Sequence, residues 1–171
     1  MKLLLLIPLV IGLLLSGCSE NASTTTPKHM QSRFQSVPEN KAILVQKGEH
    51  RENCAICGMH LATFYKTNHI ATVKKTGDKK QYCSLHCVVH DNELNKTDLL
   101  NLKVVDTNSL KFIPSDRAYY VVGSSKPATM SKTSKYAFAK KSDAQAFVKK
   151  YGGKIMKFYD AYDIAIKDFK K

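Results

Sequence analysis

The sequence predicts an α+β protein made of two tandem ββαβ units packed as one body, with a treble-clef-like metal knuckle in the first. Three observations lead there. The order strand, strand, helix, strand is read twice along the chain. Four of the five cysteines fall just before the first hairpin and at the start of the first helix. Each unit is also too short to bury a good core alone, so the two must share one.

The first 17 residues stand apart. "MKLLLLIPLVIGLLLSGCSE" carries one positive charge at Lys2, then an apolar run over residues 3–15, then small residues before Cys18. The run is shorter than the ~20 residues a spanning helix needs, so it reads as an export signal over residues 1–17. Leu15-Ser16-Gly17-Cys18 resembles a bacterial lipobox, which implies cleavage before Cys18 and acylation of its thiol. The mature chain is then expected outside the cytoplasm of a bacterium, lipid-anchored and facing the periplasm. Residues 18–47 are polar and punctuated by "STTTP" and "SVPEN", and read as a tether with a hint of strand at residues 43–45.

Residues 48–108 form the first expected unit. "HLATFYKTNHIATVKKTGDKKQYC" alternates as a hairpin does, with Gly77-Asp78 as its turn. Ser84 is a candidate N-cap for a short helix in "SLHCVVHDNEL", and "KVVDTN" reads as the closing strand. Residues 109–171 repeat the order. "AYYVVGSS" and "YAFAKK" are strands, "SDAQAFVKKYGG" is a helix capped by Ser142 and stopped by Gly152-Gly153, and "KIMKFYD" is a strand.

On this frame the thiols form a constellation. Cys54-x2-Cys57 is separated by 25 residues from Cys83-x3-Cys87, with Met59 and His86 close in sequence. A loop before a hairpin and the first turn of the following helix can bring four sulfurs around one ion. The helix start is expected to favour thiolate at Cys83 and Cys87. Within "NCAICGMH", Gly58 lets the backbone turn and present Met59 beside the two thiols, a soft donor set suited to Cu(I). Zn(II) on four cysteines, or a disulfide, remains the structural alternative. His50, His60, His69 and His90 read as surface residues.

"CAICGM", a hairpin and "YCSLHC" resemble the metal-binding motifs of the TRASH and YHS type. Nearly the whole mature chain resembles the NosL family, copper-binding lipoproteins that assist maturation of nitrous oxide reductase. The resemblance implies a tandem ββαβ fold, Cu(I) as cargo, and delivery to a copper-receiving periplasmic reductase with its assembly factors rather than catalysis. Cys54, Cys57 and Met59 match the family motif, and Met130, in "PATM", matches its second-half methionine. Cys83, Cys87 and His86 join the candidate ligands from their position alone, since a second thiol pair is not general in the family.

Other classes fit poorly. With 27 Lys and Arg against 14 Asp and Glu, the net charge is +13. The lysines nonetheless come as scattered pairs without interleaved stacking aromatics, a pattern for an anionic lipid surface or acidic partner and not for nucleic acid. A disulfide oxidoreductase would place its Cys-x-x-Cys at a helix start after a strand, whereas Gly58 and a hairpin follow here. A carbon-mercury lyase would need an acid for proton delivery that the sequence does not display. Replacing Cys18 with alanine is expected to abolish acylation and release the protein from the membrane fraction. Metabolic labelling with a fatty acid, followed by fractionation, checks this; a variant that still pelleted with its label would refute the lipobox.

Overall fold

The computed structural model describes residues 33–169. The leader, Cys18 and residues 18–32 of the expected tether lie outside them. Residues 69–105 make the first unit: β1 (His69–Val73), β2 (Lys79–Tyr82), the short helix α1 (Leu85–Val89) and β3 (Leu99–Val105). An added strand, β4 (Phe112–Pro114), completes an antiparallel sheet in the order β2-β1-β3-β4. The second unit is β5 (Tyr119–Val122), β6 (Lys135–Phe138), α2 (Lys141–Tyr151) and β7 (Lys154–Met156), with sheet order β6-β5-β7. In both, the first strand is central and its hairpin partner and the strand after the helix flank it. The repeated order read in the sequence is thus a repeated topology.

The units share a core. Tyr82, Leu85, Val88, Val89 and Val104 of the first pack with Tyr120, Val122, Ala137, Ala161 and Ala165 of the second half. Burying this apolar surface at about 25 cal/mol per Å² is what either unit alone would lack. Backbone contacts reinforce the seam: Thr107 N donates to Ala137 O at 2.9 Å, and Ala139 N donates to Asp106 Oδ1 at 3.1 Å. A smaller cluster of Val121, Tyr136, Phe138, Ala144 and Phe147 lies under α2.

Several details differ from the sequence reading. "KIMKFYD" leaves the sheet at Met156, and Phe158 opens a third helix, α3 (Phe158–Lys167). Ala161 and Ala165, one turn apart, are its buried line, and that helical spacing outweighs the β-prone aromatics around it. Helix α2 begins at Lys141, one residue before Ser142, without a side-chain cap, and Ser84 flanks α1 with no cap bond from its hydroxyl. Gly152 and Gly153 end α2 as expected, both at positive φ; a Cβ at Gly153 would stand 2.9 Å from Val122 O.

The expected tether does not extend to residue 47. Phe34 enters an aromatic group with Tyr136, Phe147 and Tyr151, and Gln35 is fully buried with its amide donating to Pro127 O at 2.9 Å. Residues 43–45 form no strand but cover the exposed edge of β2: Val45 N donates to Gln81 Oε1 at 3.0 Å, and Gln81 Nε2 donates to Ile43 O at 3.2 Å. A polar composition hid this packing because the amides of Gln35 and Gln81 find carbonyl and amide partners inside instead of water, although Gln35 Oε1 has no partner among the described residues.

His69, read as a surface residue, is fully buried at the seam. Its Nε2 lies 3.2 Å from Tyr120 Oη and its Nδ1 3.0 Å from Thr67 O, and burial pushes its pKa down to about 4. The folded protein therefore holds His69 neutral while the unfolded chain takes up a proton below about 6.5. Stability is full above that pH and is lost as pH falls from 6.5 towards 4. Urea unfolding of the reduced, metal-free protein is expected to show a loss of about 2 kcal/mol between pH 7.5 and 4.5, with a smaller loss in His69→Gln.

Candidate metal centre

The site begins as a tight loop over residues 53–60. Cys54 N donates to Met59 O at 2.8 Å and Gly58 N donates to Cys54 O at 3.0 Å. Gly58, at φ +71, supplies the left-handed residue the turn requires, and Asn53 Nδ2 donates to its carbonyl at 2.9 Å. Ala55 N donates to Gln81 O at 3.0 Å, which docks the loop beside the end of β2. The chain then runs through a 3-10 segment and the hairpin to Cys83, at the end of that hairpin, and Cys87, inside α1. This is the layout expected of a treble-clef knuckle.

All four sulfurs meet. Cys57 Sγ lies 3.5 Å from Cys83 Sγ and 3.6 Å from Cys87 Sγ, the latter two are 3.7 Å apart, and the four Sγ atoms, Cys54 included, lie within 4.8 Å of one another. A tetrahedral ion with metal–sulfur bonds of about 2.3 Å has sulfur–sulfur edges of about 3.8 Å; the three separations among Cys57, Cys83 and Cys87 are close to that, and Cys54 Sγ lies within 4.8 Å of each. The thiols are unbridged, and the two pairs make a single site. Cys54, Cys83 and Cys87 are buried; Cys57 is the half-exposed member.

Thiolate character is not where the helix start would put it. The neighbouring thiols of Cys83 and Cys87, then the backbone N–H groups of Cys57 and Ile56, pull the Cys54 thiol well below the usual thiol range. That thiolate, with burial, pushes Cys83 and Cys87 up. Four thiols this close cannot ionise independently, and α1 is too short for its dipole to compete. A bound cation would drive the remaining protons off, so binding is expected to release protons.

The other predicted residues stand at the rim or beyond it. Met59 is half-buried against the main core, in the loop itself. Met130 lies between β5 and β6, 42% exposed and at φ +56. Its neighbour Thr129 hydrogen-bonds Thr67 at 3.0 Å, and Thr67 Oγ1 donates to Cys83 O at 2.7 Å, so that loop abuts the frame of the site. His86 is outside the sulfur cluster: its ring stacks on Phe169 with centroids 4.1 Å apart, and its Nδ1 has no partner among the described residues. Within α1, His86 points away from Cys87, its neighbour in the helix, while Cys83 lies before the helix begins.

Residues the sequence did not flag hold the thiols in place. Asp91, buried, accepts from Lys80 Nζ at 2.7 Å, Tyr82 Oη at 2.8 Å and Thr97 Oγ1 at 2.8 Å, tying β2 to the turn that follows α1. Burial pushes its pKa up, but these bonds and one from Asn95 outweigh that and hold the carboxyl below its usual range. Asn68 donates to Phe64 O at 2.9 Å and accepts from Gln81 Nε2 at 2.9 Å, linking the knuckle's exit to β2. Only Asn53, beside Cys54, had a sequence cue, as a turn former.

Fold and site together define a two-unit α+β protein with a sulfur-rich metal centre. The NosL family model matches residues 45–165. The chain belongs to the NosL family. Among solved structures, the crystal structure of the copper chaperone NosL from Shewanella denitrificans matches with a TM-score of 0.54 and 24% identity, over 71% of this chain and 95% of that one, a likeness of fold. Among curated proteins none matches.

The loop makes its own prediction. A Cβ at Gly58 would meet no atom within 4 Å, so Gly58→Ala carries only the backbone cost of a left-handed alanine. Urea unfolding of the reduced apoprotein should show a loss of about 1 kcal/mol. No loss would mean that the turn is not held at positive φ.

Proposed function

We propose that the protein is a metal carrier, not an enzyme, which holds Cu(I) on Cys54, Cys57, Cys83 and Cys87 and hands it on for maturation of nitrous oxide reductase. The observation that carries this reading is the convergence of four thiols, three buried and one half-exposed, in a chain of the NosL family. A soft, sulfur-only donor set prefers Cu(I) to harder ions.

Hand-over needs a sulfur that an acceptor can reach, and Cys57 is that sulfur. Met59, next along the loop, and Met130, on the exposed loop, are thioethers suited to hold the ion weakly as thiolates let go, which is their proposed role. An open groove of about 990 Å³ lies beside Cys54, lined in part by Val45, His50, Ile56 and Lys79, and offers an acceptor a place to dock. The lipid anchor at Cys18 and the periplasm-facing location complete the reading, with the reductase and its assembly factors as partners.

A second reading has its own support. Separations of 3.5 to 3.7 Å are close to those of a closed four-thiolate zinc site, in which case the ion would be structural Zn(II). Competition decides between them. Protein purified reduced and anaerobically, titrated against a Cu(I) chelator, should retain stoichiometric Cu(I) and release zinc to it; zinc that excess Cu(I) fails to displace would establish the structural reading.

The same titration tests the ligands. Cys57→Ser is expected to weaken Cu(I) binding at least ~10-fold, about 1.4 kcal/mol, with the fold intact by circular dichroism. Cys83→Ser, replacing a fully buried sulfur, should cost at least as much and lower the unfolding midpoint as well. Met59→Ala should leave the equilibrium affinity closer to wild type than Cys57→Ser while slowing transfer to an acceptor chelator. Full transfer rate in Met59→Ala would remove Met59 from the hand-over.

A further inference from the structure

Three lysines converge on one aromatic ledge. Lys66 Nζ lies 4.4 Å from the centroid of the Phe34 ring and Lys126 Nζ 4.8 Å from the same ring. Lys126 Nζ is also 4.2 Å from the Tyr151 centroid, and Lys150 Nζ is 5.2 Å from it. Arg33, beside them in sequence, stands 5.4 Å over Phe64. The ion pairs of the described residues use Glu39, Asp98, Asp91 and Asp168, and none involves these four cations.

Ring faces attract cations, but they do not neutralise them. Burial and the charge of Lys126 lower the pKa of Lys66, and the ammonium of Lys150, then those of Lys126 and Lys66, draw the exposed Tyr151 phenol down. Merely solvated lysines would spread apart, whereas these are gathered by their rings with their charge unanswered. An anionic surface would answer it.

We propose that this ledge rests on the anionic phospholipid headgroups of the membrane that anchors the chain. The path of the chain argues for lipid over other anions. Phe34 is locked into the ledge beside Arg33, where the described residues begin, and Cys18 lies fifteen residues before Arg33 in the sequence. Fifteen residues span at most about 50 Å when fully extended. With Cys18 in the bilayer, Arg33 and the cations beside it are kept within that reach of the membrane, a limit tighter than for any residue further along the chain. Charge attraction and a neighbouring acyl anchor together make the two-part signal that stable membrane association requires. The orientation rests on the lipid-anchor reading; the charge of the ledge does not.

The test uses the mature chain with Cys18→Ser, so that no acyl chain contributes. Co-sedimentation should show partition into vesicles containing phosphatidylglycerol, weakening as salt is raised, and little into phosphatidylcholine alone. Each basic residue near such a surface contributes about fivefold, so Lys66→Gln/Lys126→Gln/Lys150→Gln should reduce partition at least ~10-fold. Lys74→Gln/Lys75→Gln/Lys111→Gln, equal in charge but off the ledge, should change it less than ~3-fold. If the first triple variant unfolds, Lys126→Gln alone, which removes the cation shared by both rings, should lower partition about fivefold. Equal losses in the two triple variants, or no preference for the anionic vesicles, would overturn the proposal. Cu(I) titration of the same variants should be unchanged, so this result stands or falls apart from the carrier reading.

Discussion

Four sulfur atoms held within 4.8 Å of one another are the constraint from which the first half of the molecule is built. Two come from a loop that must turn within six residues, and two from the end of a hairpin and the helix after it. Bringing them together fixes the angle between loop, hairpin and helix, and so decides where the third strand can enter the sheet. The sulfurs are also part of the main hydrophobic core, so metal ligation and core packing are one structural event. The neighbouring thiols push the Cys54 pKa down and those of Cys83 and Cys87 up, so the four titrate as a unit.

Around the sulfurs, buried polar side chains do what hydrophobic packing cannot. Hydrogen bonds are directional, and an unsatisfied buried group is costly, so each amide or carboxyl admits few arrangements of its neighbours. Gln81 joins the N-terminal segment, Asn68 and the knuckle, whose Ala55 N donates to the Gln81 carbonyl, in one network. Asp91 does the same for β2 and the turn after α1. Buried phenols follow the rule: Tyr65 donates to Leu110 O at 3.1 Å and Tyr136 to Pro127 O at 2.6 Å. A site that binds a labile ion without collapsing or rearranging needs a frame of this kind.

The second unit repeats the topology of the first without its cysteines. Its contributions are the other wall of the shared core, the α3 helix that packs against α1, and the loop carrying Thr129 and Met130. His69 and Tyr120, stacked with ring centroids 6.1 Å apart, pin the central strands of the two sheets together. Division of labour follows: chemistry in one unit, and support and surface in the other, including two of the four cations of the basic ledge.

The sequence by itself determined the element order, the hairpin at Gly77-Asp78, the glycine stop of α2 and the pairing of a Cys-x-x-Cys loop with a Cys-x3-Cys helix start. These are local matters of period, turn chemistry and spacing, and each is written in a few adjacent residues. Tertiary structure alone decided the rest. A partner far along the chain settled the burial of Gln35 and His69, the covering of the β2 edge by residues 43–45, the exclusion of His86 from the sulfurs and the inversion of thiolate character towards Cys54. Polar side chains carry no mark in sequence of whether water or a buried carbonyl will satisfy them, and the order in which coupled thiols ionise depends on distances that exist only once the chain has folded.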